Sequence, residues 1–301
     1  LLQVDDVTKT FGGRAALSNV SFGVGPGRIT GFVGANGAGK TTAMRIILGV
    51  LSPDSGRVTL DGAALTATDR RTFGYMPEER GLYPKMRVAE QITYFGRLHG
   101  MSARDASGST AALLERLDLA PRANDTVDSL SLGNQQRAQI AAALVHRPTA
   151  LVLDEPFSGL DPIGVDAVLT VLRDVAADGA PVLFSSHQLD LVERLCDDLV
   201  IIANGRVRAS GSRERLRAEH GHDRYELDID RPPGSPEGSL GWLRGVPGVI
   251  VVDLDDGHSV FDAADPSIAQ AVLRRALAAG PVRRFAPKQP SLAQIFREVI
   301  K

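Results

Sequence analysis

Over its first two thirds the chain alternates short, wholly apolar runs with amphipathic ones. Ile29–Val33, Leu151–Leu153, Val182–Ser185 and Leu199–Ile202 read as buried strands. The intervening runs Thr42–Leu48, Ala138–Val145, Val88–Leu98 and Ala111–Leu117 read as helices, the last two spacing their apolar residues at three and four. Strands alternating with helices in this way predict an α/β domain with a largely parallel sheet, spanning about residues 1–215. Between Tyr75 and Ser131 the periodicity is helical, which predicts a helical insertion in the α/β core at about 78–147.

The pattern changes after Gly211. Ser212 can cap a short charged helix that ends by His220-Gly221-His222. Strand Arg224–Ile229, a Pro/Gly/Ser loop at 232–238 and a short helix around Leu240–Arg244 come next. Strands Val249–Leu254 and His258–Phe261 then flank Asp255-Asp256-Gly257, a sequence suited to a hairpin turn. Helix Pro266–Ala279 and strand Val282–Phe285 complete the order β-α-β-β-α-β, which predicts a small α+β, ferredoxin-like domain over 222–301. A last helix opens with Ser291 and Gln294 at capping-box spacing. Its apolar residues Leu292, Ile295, Phe296, Val299 and Ile300 share one face, read as packing on the chain's own domain in preference to a partner.

A length of 301 residues suits two domains. Hydrophobic content of 43%, charged content of 23% and a net charge of −2 are those of a globular protein with no field for nucleic acid, and no nucleic-acid partner is expected. The single cysteine, Cys196, rules out an intramolecular disulfide and fits a reducing compartment. No run approaches the roughly 18 apolar residues of a membrane span. No signal peptide is visible, since the chain is polar by residue 5. The expectation is a soluble chain facing the cytoplasm, held at a membrane only through other chains.

Chemistry enters at Gly34-Ala35-Asn36-Gly37-Ala38-Gly39-Lys40-Thr41-Thr42. Gly34 through Thr41 fits G-x-x-x-x-G-K-[ST] in full, after a strand and before a helix, the context that makes the motif a phosphate-binding loop. Glycines let backbone N–H groups turn inward around a phosphate, and the helix N-terminus adds partial positive charge. Lys40 can bridge β- and γ-phosphates while Thr41 offers its hydroxyl to Mg²⁺. At the end of another apolar strand stand Asp154 and Glu155. In a parallel sheet this end faces the ligand crevice, so Asp154 can serve the metal and Glu155 can polarise an attacking water.

Three further segments fix a family. They are Leu130-Ser131-Leu132-Gly133-Asn134-Gln135-Gln136-Arg137, Ser158-Gly159-Leu160-Asp161, and Pro181–Ser186 ending on His187. With the phosphate loop, in this order and spacing, residues 2–215 resemble the nucleotide-binding subunits of ATP-binding cassette (ABC) transporters. The resemblance implies a P-loop NTPase cassette whose cofactors are ATP and Mg²⁺. It implies that Ser131, Gly133 and Asn134 contact ATP bound by a second copy, although Leu132 and Asn134 depart from the family's glycine and glutamine. It further places Asp161 in the loop linking two active sites, His187 at the γ-phosphate and Phe11 against the adenine.

Two copies would sandwich two ATP molecules head to tail and drive separate transmembrane permease subunits from the cytoplasmic face of the cell membrane. Pro77–Pro84 and the C-terminal extension resemble the bacterial branch that exports sodium, drugs or antibiotics. The alternative is a soluble ABC ATPase acting on ribosomes or DNA. A single phosphate loop, the absence of heptads and the charge weigh against it.

Gly74-Tyr75-Met76-Pro77 leads into Glu78 and Glu79, where most cassettes carry a glutamine that touches Mg²⁺. A carboxylate is also a hard oxygen ligand, so Glu78 is expected at the metal and Glu79 at the surface or a partner groove. The competing reading pairs Glu78 with Arg80 in water.

Overall fold

The computed structural model describes residues 1–79, 81–220, 223–230, 240–288 and 290–300. It divides into two compact units, Leu1–Arg213 and Glu214–Val299.

The first unit contains β1 (Leu2–Phe11), β2 (Arg14–Val24), β3 (Ile29–Val33), β4 (Ser55–Leu60), β5 (Ala63–Ala64), β6 (Phe73–Met76), β7 (Ala150–Leu153), β8 (Val182–Ser186), β9 (Asp198–Ala203) and β10 (Arg206–Ser212). Its helices are α1 (Lys40–Ile47), α2 (Ala67–Arg70), α3 (Val88–Leu98), α4 (Ala103–Arg116), α5 (Leu132–Leu144), α6 (Pro162–Ala177) and α7 (Leu189–Leu195); α8 (Arg213–His220) starts on the last residue of this unit and otherwise belongs to the second.

Strands β3, β7 and β8 are buried at every position, as strands covered on both faces must be. They lie centrally in a sheet ordered β10-β9-β3-β8-β7-β6, parallel except for β10 against β9. Register then decides where chemistry goes. Val33 pairs with Ser186, Phe184 with Leu153, and Leu153 with Met76. The segments that follow, beginning at Gly34, His187, Asp154 and Pro77, therefore leave the sheet along one edge.

A second sheet, ordered β2-β1-β4-β5 and antiparallel, has no counterpart in the sequence reading. Its strands lack clean alternation because they are bulged. Pairing of β1 with β2 shifts between Val4 and Val7, where Asp6 turns to φ +47°. An extra residue flips the inward face, which erases the period-two signal. Helices α3, α4 and α5 pack against one another between β6 and β7, forming the expected helical insertion.

The second unit carries β11 (Arg224–Ile229), β12 (Val249–Asp255), β13 (His258–Ala263), β14 (Val282–Pro287), α9 (Pro266–Ala279) and α10 (Leu292–Val299). Its sheet, ordered β12-β13-β11-β14 and antiparallel throughout, has the ferredoxin-like arrangement. Asp255 pairs with His258 across the two-residue turn Asp256-Gly257, with Gly257 at φ +82°. Leu227, Ile229, Phe261, Val272 and Ala276 form the core between sheet and α9. Where a first helix would lie, the described residues hold a 3-10 turn, Gly241–Gly245. The loop assigned to 232–238 and the Gly221-His222 helix end fall outside the described residues. Ser291 and Gln294 cap α10 reciprocally: the Ser291 N–H donates to Gln294 Oε1 at 2.9 Å and the Gln294 N–H to Ser291 Oγ at 3.3 Å. Leu292 and Ile295 are buried.

One half-buried group in the first unit, His146, makes its stability depend on pH. The His146 ring stacks on His99 at 3.7 Å, and its Nε2 lies 3.2 Å from the Phe73 carbonyl oxygen. Burial, then the neighbouring His99, lowers its pKa from 6.5 to about 4. Between those values the unfolded chain binds a proton that the folded chain refuses, so stability is full above pH 6.5 and falls as pH drops toward 4. Thermal unfolding of His146→Phe should lose less of its midpoint between pH 7 and pH 4.5 than the parent chain does; equal losses would contradict this.

Candidate nucleotide site

The loop from Gly34 to Gly39 turns directly out of β3 into α1. Two of its glycines are required by space. A Cβ on Gly34 would lie 2.5 Å from the Ile202 carbonyl oxygen. Gly39, the N-cap of α1, sits at φ +109°, and a Cβ there would meet Leu17 Cδ2 at 2.7 Å and the Ala16 carbonyl oxygen at 2.8 Å. Gly39 has no side chain to cap the helix and the first turn has no acid, so the first N–H groups of α1 remain available to an anion. Buried Lys40 curls back over the loop, its Nζ donating to the carbonyls of Gly34 at 2.7 Å and Ala35 at 3.3 Å.

Across from the loop, Asp154 joins two hydroxyls. Thr41 Oγ1 donates to one carboxylate oxygen at 2.8 Å and Ser185 Oγ donates to the other. Ser185 Oγ in turn accepts from the Glu155 N–H at 2.8 Å. Glu155 occupies the left-handed region at φ +52°, uncommon for a non-glycine residue. Its Oε1 lies 3.0 Å from Nδ1 of His187, whose side chain is 55% exposed. Burial, and after it the Asp154 carboxylate, raises the pKa of the Tyr75 phenol.

Lys40, Thr41, Asp154, Glu155 and Glu78 line one cavity of about 370 Å³ with Gly39. Asn36, Gly37, Thr42 and Ala16 complete its wall. A nucleotide phosphate fits the loop, where the first N–H groups of α1 have no side-chain cap and Lys40 folds over the turn. Mg²⁺ fits the donor set, because hydroxyl and carboxylate oxygens are its preferred partners and it keeps waters and phosphate oxygens as further ligands. Among the described residues no cluster of three or more His, Cys, Asp or Glu could hold a metal ion unaided.

The segment carrying Glu78 is held from behind. Buried Gln139 on α5 donates from Nε2 to the carbonyls of Pro77 at 2.8 Å and Glu79 at 3.2 Å. Glu79 is exposed and does not line the cavity, and Arg80 falls outside the described residues.

Other expected residues lie elsewhere in this chain. Phe11, at the end of β1, is 49% exposed, with Lys9 Nζ 5.6 Å from its ring centre. Ser131 caps α5, its Oγ accepting from the Asn134 N–H at 3.4 Å, and the Asn134 side chain turns inward to Arg137. Gly133 backs onto the next loop, where its Cβ would come 3.1 Å from the Gly159 carbonyl oxygen. Asp161 caps α6 by accepting from the Gly164 N–H at 2.7 Å. Neither these residues, nor His187, nor Ala38 line the cavity. Ser185, Gln136 and Gln139 are site-supporting residues that the sequence reading missed; their signal was polarity at buried positions of apolar elements.

Comparison with known proteins agrees with this geometry. The family described as ABC transporter matches residues 17–158, and the family described as ATP-binding protein DrrA1-3-like, C-terminal domain, matches residues 211–300. The ABC transporter ATP-binding protein YhaQ of Bacillus subtilis (strain 168) is 37% identical over 303 residues, covering 100% of this chain and 98% of its own. The linearmycin resistance ATP-binding protein LnrL of the same organism is 33% identical over 226 residues, covering 74% of this chain and 73% of its own. A solved structure of an ATP-binding subunit of an ABC transporter superposes with a TM-score of 0.68 at 33% identity, covering 73% of this chain and 93% of that one. The helical insertion, the phosphate loop on β3 and the carboxylate pair after β7 thus have a shared origin: the chain belongs to the ABC transporter ATP-binding proteins, which are ATPases.

Proposed function

We propose that this chain is the ATP-hydrolysing subunit of an exporter for a drug, antibiotic or ion. The observation that carries the reading is the meeting of Lys40, Thr41, Asp154 and Glu155 in one cavity at the strand ends. Lys40 and the N-terminus of α1 bind the β- and γ-phosphates. Glu155 draws a proton from a water whose oxygen attacks the γ-phosphorus. The bond from that phosphorus to the β-phosphate oxygen breaks, leaving ADP and inorganic phosphate. His187, 3.0 Å from Glu155, orients that carboxylate and the γ-phosphate. Mg²⁺, held by Thr41, Asp154 and Glu78, would supply charge neutralisation at the phosphate oxygens.

Hydrolysis by a single copy leaves Ser131, Gly133, Asn134 and Asp161 without a nucleotide to touch, since none of them lines their own chain's cavity. A head-to-tail homodimer gives them one, with Phe11 against the adenine of its own chain. The membrane partner is a transmembrane permease subunit at the cytoplasmic face. A groove of about 650 Å³ along α3, with exposed Tyr94 and Leu98 and the flanking Glu90 and Arg97, suits a short amphipathic segment of that subunit. Export of a drug or antibiotic is supported by the resistance role named for LnrL. Described residues include no helix long and apolar enough to cross a membrane.

Glu155→Gln keeps the shape of the site and removes the base. Its ATPase rate should fall by about a hundredfold or more, with Mg²⁺·ATP still bound at parent affinity. A rate near that of the parent would remove Glu155 from the chemistry.

Among the described residues the cavity sets three carboxylates against one ammonium, so a phosphate chain entering without metal meets net repulsion. Glu78→Gln should therefore narrow the gap between ATP affinities measured in Mg²⁺ and in EDTA, chiefly by strengthening metal-free binding. The exposed Glu79→Gln should leave the gap as it is. Identical Mg²⁺ titrations for parent and Glu78→Gln would assign Glu78 to the surface.

A further inference from the structure

Helix α5 begins at the capped Ser131 and runs inward behind the cavity, carrying two buried amides three residues apart, Gln136 and Gln139. Residues so spaced share a helix face. Gln139 holds the carbonyls on either side of Glu78. Gln136 does the corresponding thing for Glu155: its Nε2 donates at 3.0 Å to the Glu155 carbonyl and at 3.0 Å to the Pro156 carbonyl, both bonds buried.

Glu155 needs such support. At φ +52° its backbone is one that L residues seldom adopt, and the ring of the following proline further disfavours helical conformations at the residue before it. Two side chains counter this preference. Ser185 accepts the Glu155 N–H on one side, and Gln136 ties down two successive carbonyls on the other. Released from Gln136, the peptide can relax toward the extended region, which swings the carboxylate away from His187, strips the Pro156 carbonyl of its donor and leaves the Glu155 carbonyl only the Ser158 N–H at 3.2 Å.

We infer that Gln136 is a positioning residue for hydrolysis, fixing the strained Glu155 peptide and tying it to the helix whose N-terminal end is Ser131. The inference rests on the reading of Glu155 as the base. A movement of α5 at its Ser131 end is transmitted to Glu155 through this amide and to the Glu78 segment through Gln139. The phosphate loop makes no part of the linkage, so nucleotide binding is spared.

Two apolar variants, Gln136→Leu and Gln136→Met, test this with steady-state ATPase assays and equilibrium binding of a non-hydrolysable ATP analogue with Mg²⁺. The expected result is a kcat at least tenfold lower, with KM and analogue affinity within about twofold of the parent. Gln136→Glu keeps the shape but turns a carboxylate toward the two carbonyls. Its kcat relative to the parent should be lowest at alkaline pH and rise as the pH falls and the carboxyl regains a proton to donate. Unchanged kcat in a folded variant would overturn the inference. So would kcat and affinity falling together, or a flat pH ratio for Gln136→Glu. Failure of the underlying reading is distinguishable: Glu155→Gln would then hydrolyse ATP at the parent rate, whatever the Gln136 variants do.

Discussion

The Thr41–Asp154 hydrogen bond is the joint on which the site depends, because it closes the gap between two segments over a hundred residues apart. One partner lies in the first turn of α1 after β3, and the other directly follows β7, with β8 between the two strands. Parallel pairing puts both strand ends on one edge, and register puts them level. Once that edge exists, the helix N-terminus, the lysine that folds over the loop and the carboxylates converge with no further device. Ser185, supplied by the central strand, then locks Asp154 and the Glu155 N–H together from beneath. The hydroxyls and carboxylates are satisfied by one another, which is what permits polar groups to be buried here.

How far the sequence foretells this depends on whether a feature is local. The phosphate loop is legible because its demands fall on consecutive residues: glycine where a Cβ would strike backbone, lysine at the helix start. Helices Val88–Leu98 and Pro266–Ala279 and strand Arg224–Ile229 are legible at their full length because their periodicity is uninterrupted. The antiparallel sheet of β1, β2, β4 and β5 is hidden by bulges, since each extra residue reverses the apolar face. The supporting amides are hidden for another reason. Gln139 reaches a carbonyl 62 positions away, and nothing in its neighbours on α5 announces that. Ser131, Gly133, Asn134 and Asp161 gain their proposed purpose only beside a second copy.

The two units solve unlike problems. The first surrenders backbone comfort at Glu155, where the strain sits beside the chemistry. The second is a regular antiparallel sheet on a helix, closed by a capping box at α10, with its polar face knitted by pairs such as Arg224–Asp262 and Arg284–Glu226.

Calorimetric titration with a non-hydrolysable ATP analogue, with and without Mg²⁺, tests the central claim most directly when the parent chain is compared with Thr41→Val. If the strand-edge cavity is the nucleotide site and the Thr41 hydroxyl acts there through the metal, the parent binds one analogue per chain. The variant should lose at least about tenfold in affinity with Mg²⁺ present and less than that in EDTA, where only the lost bond to Asp154 counts. An absence of binding by the parent, or equal affinities for both chains in Mg²⁺, would contradict the account.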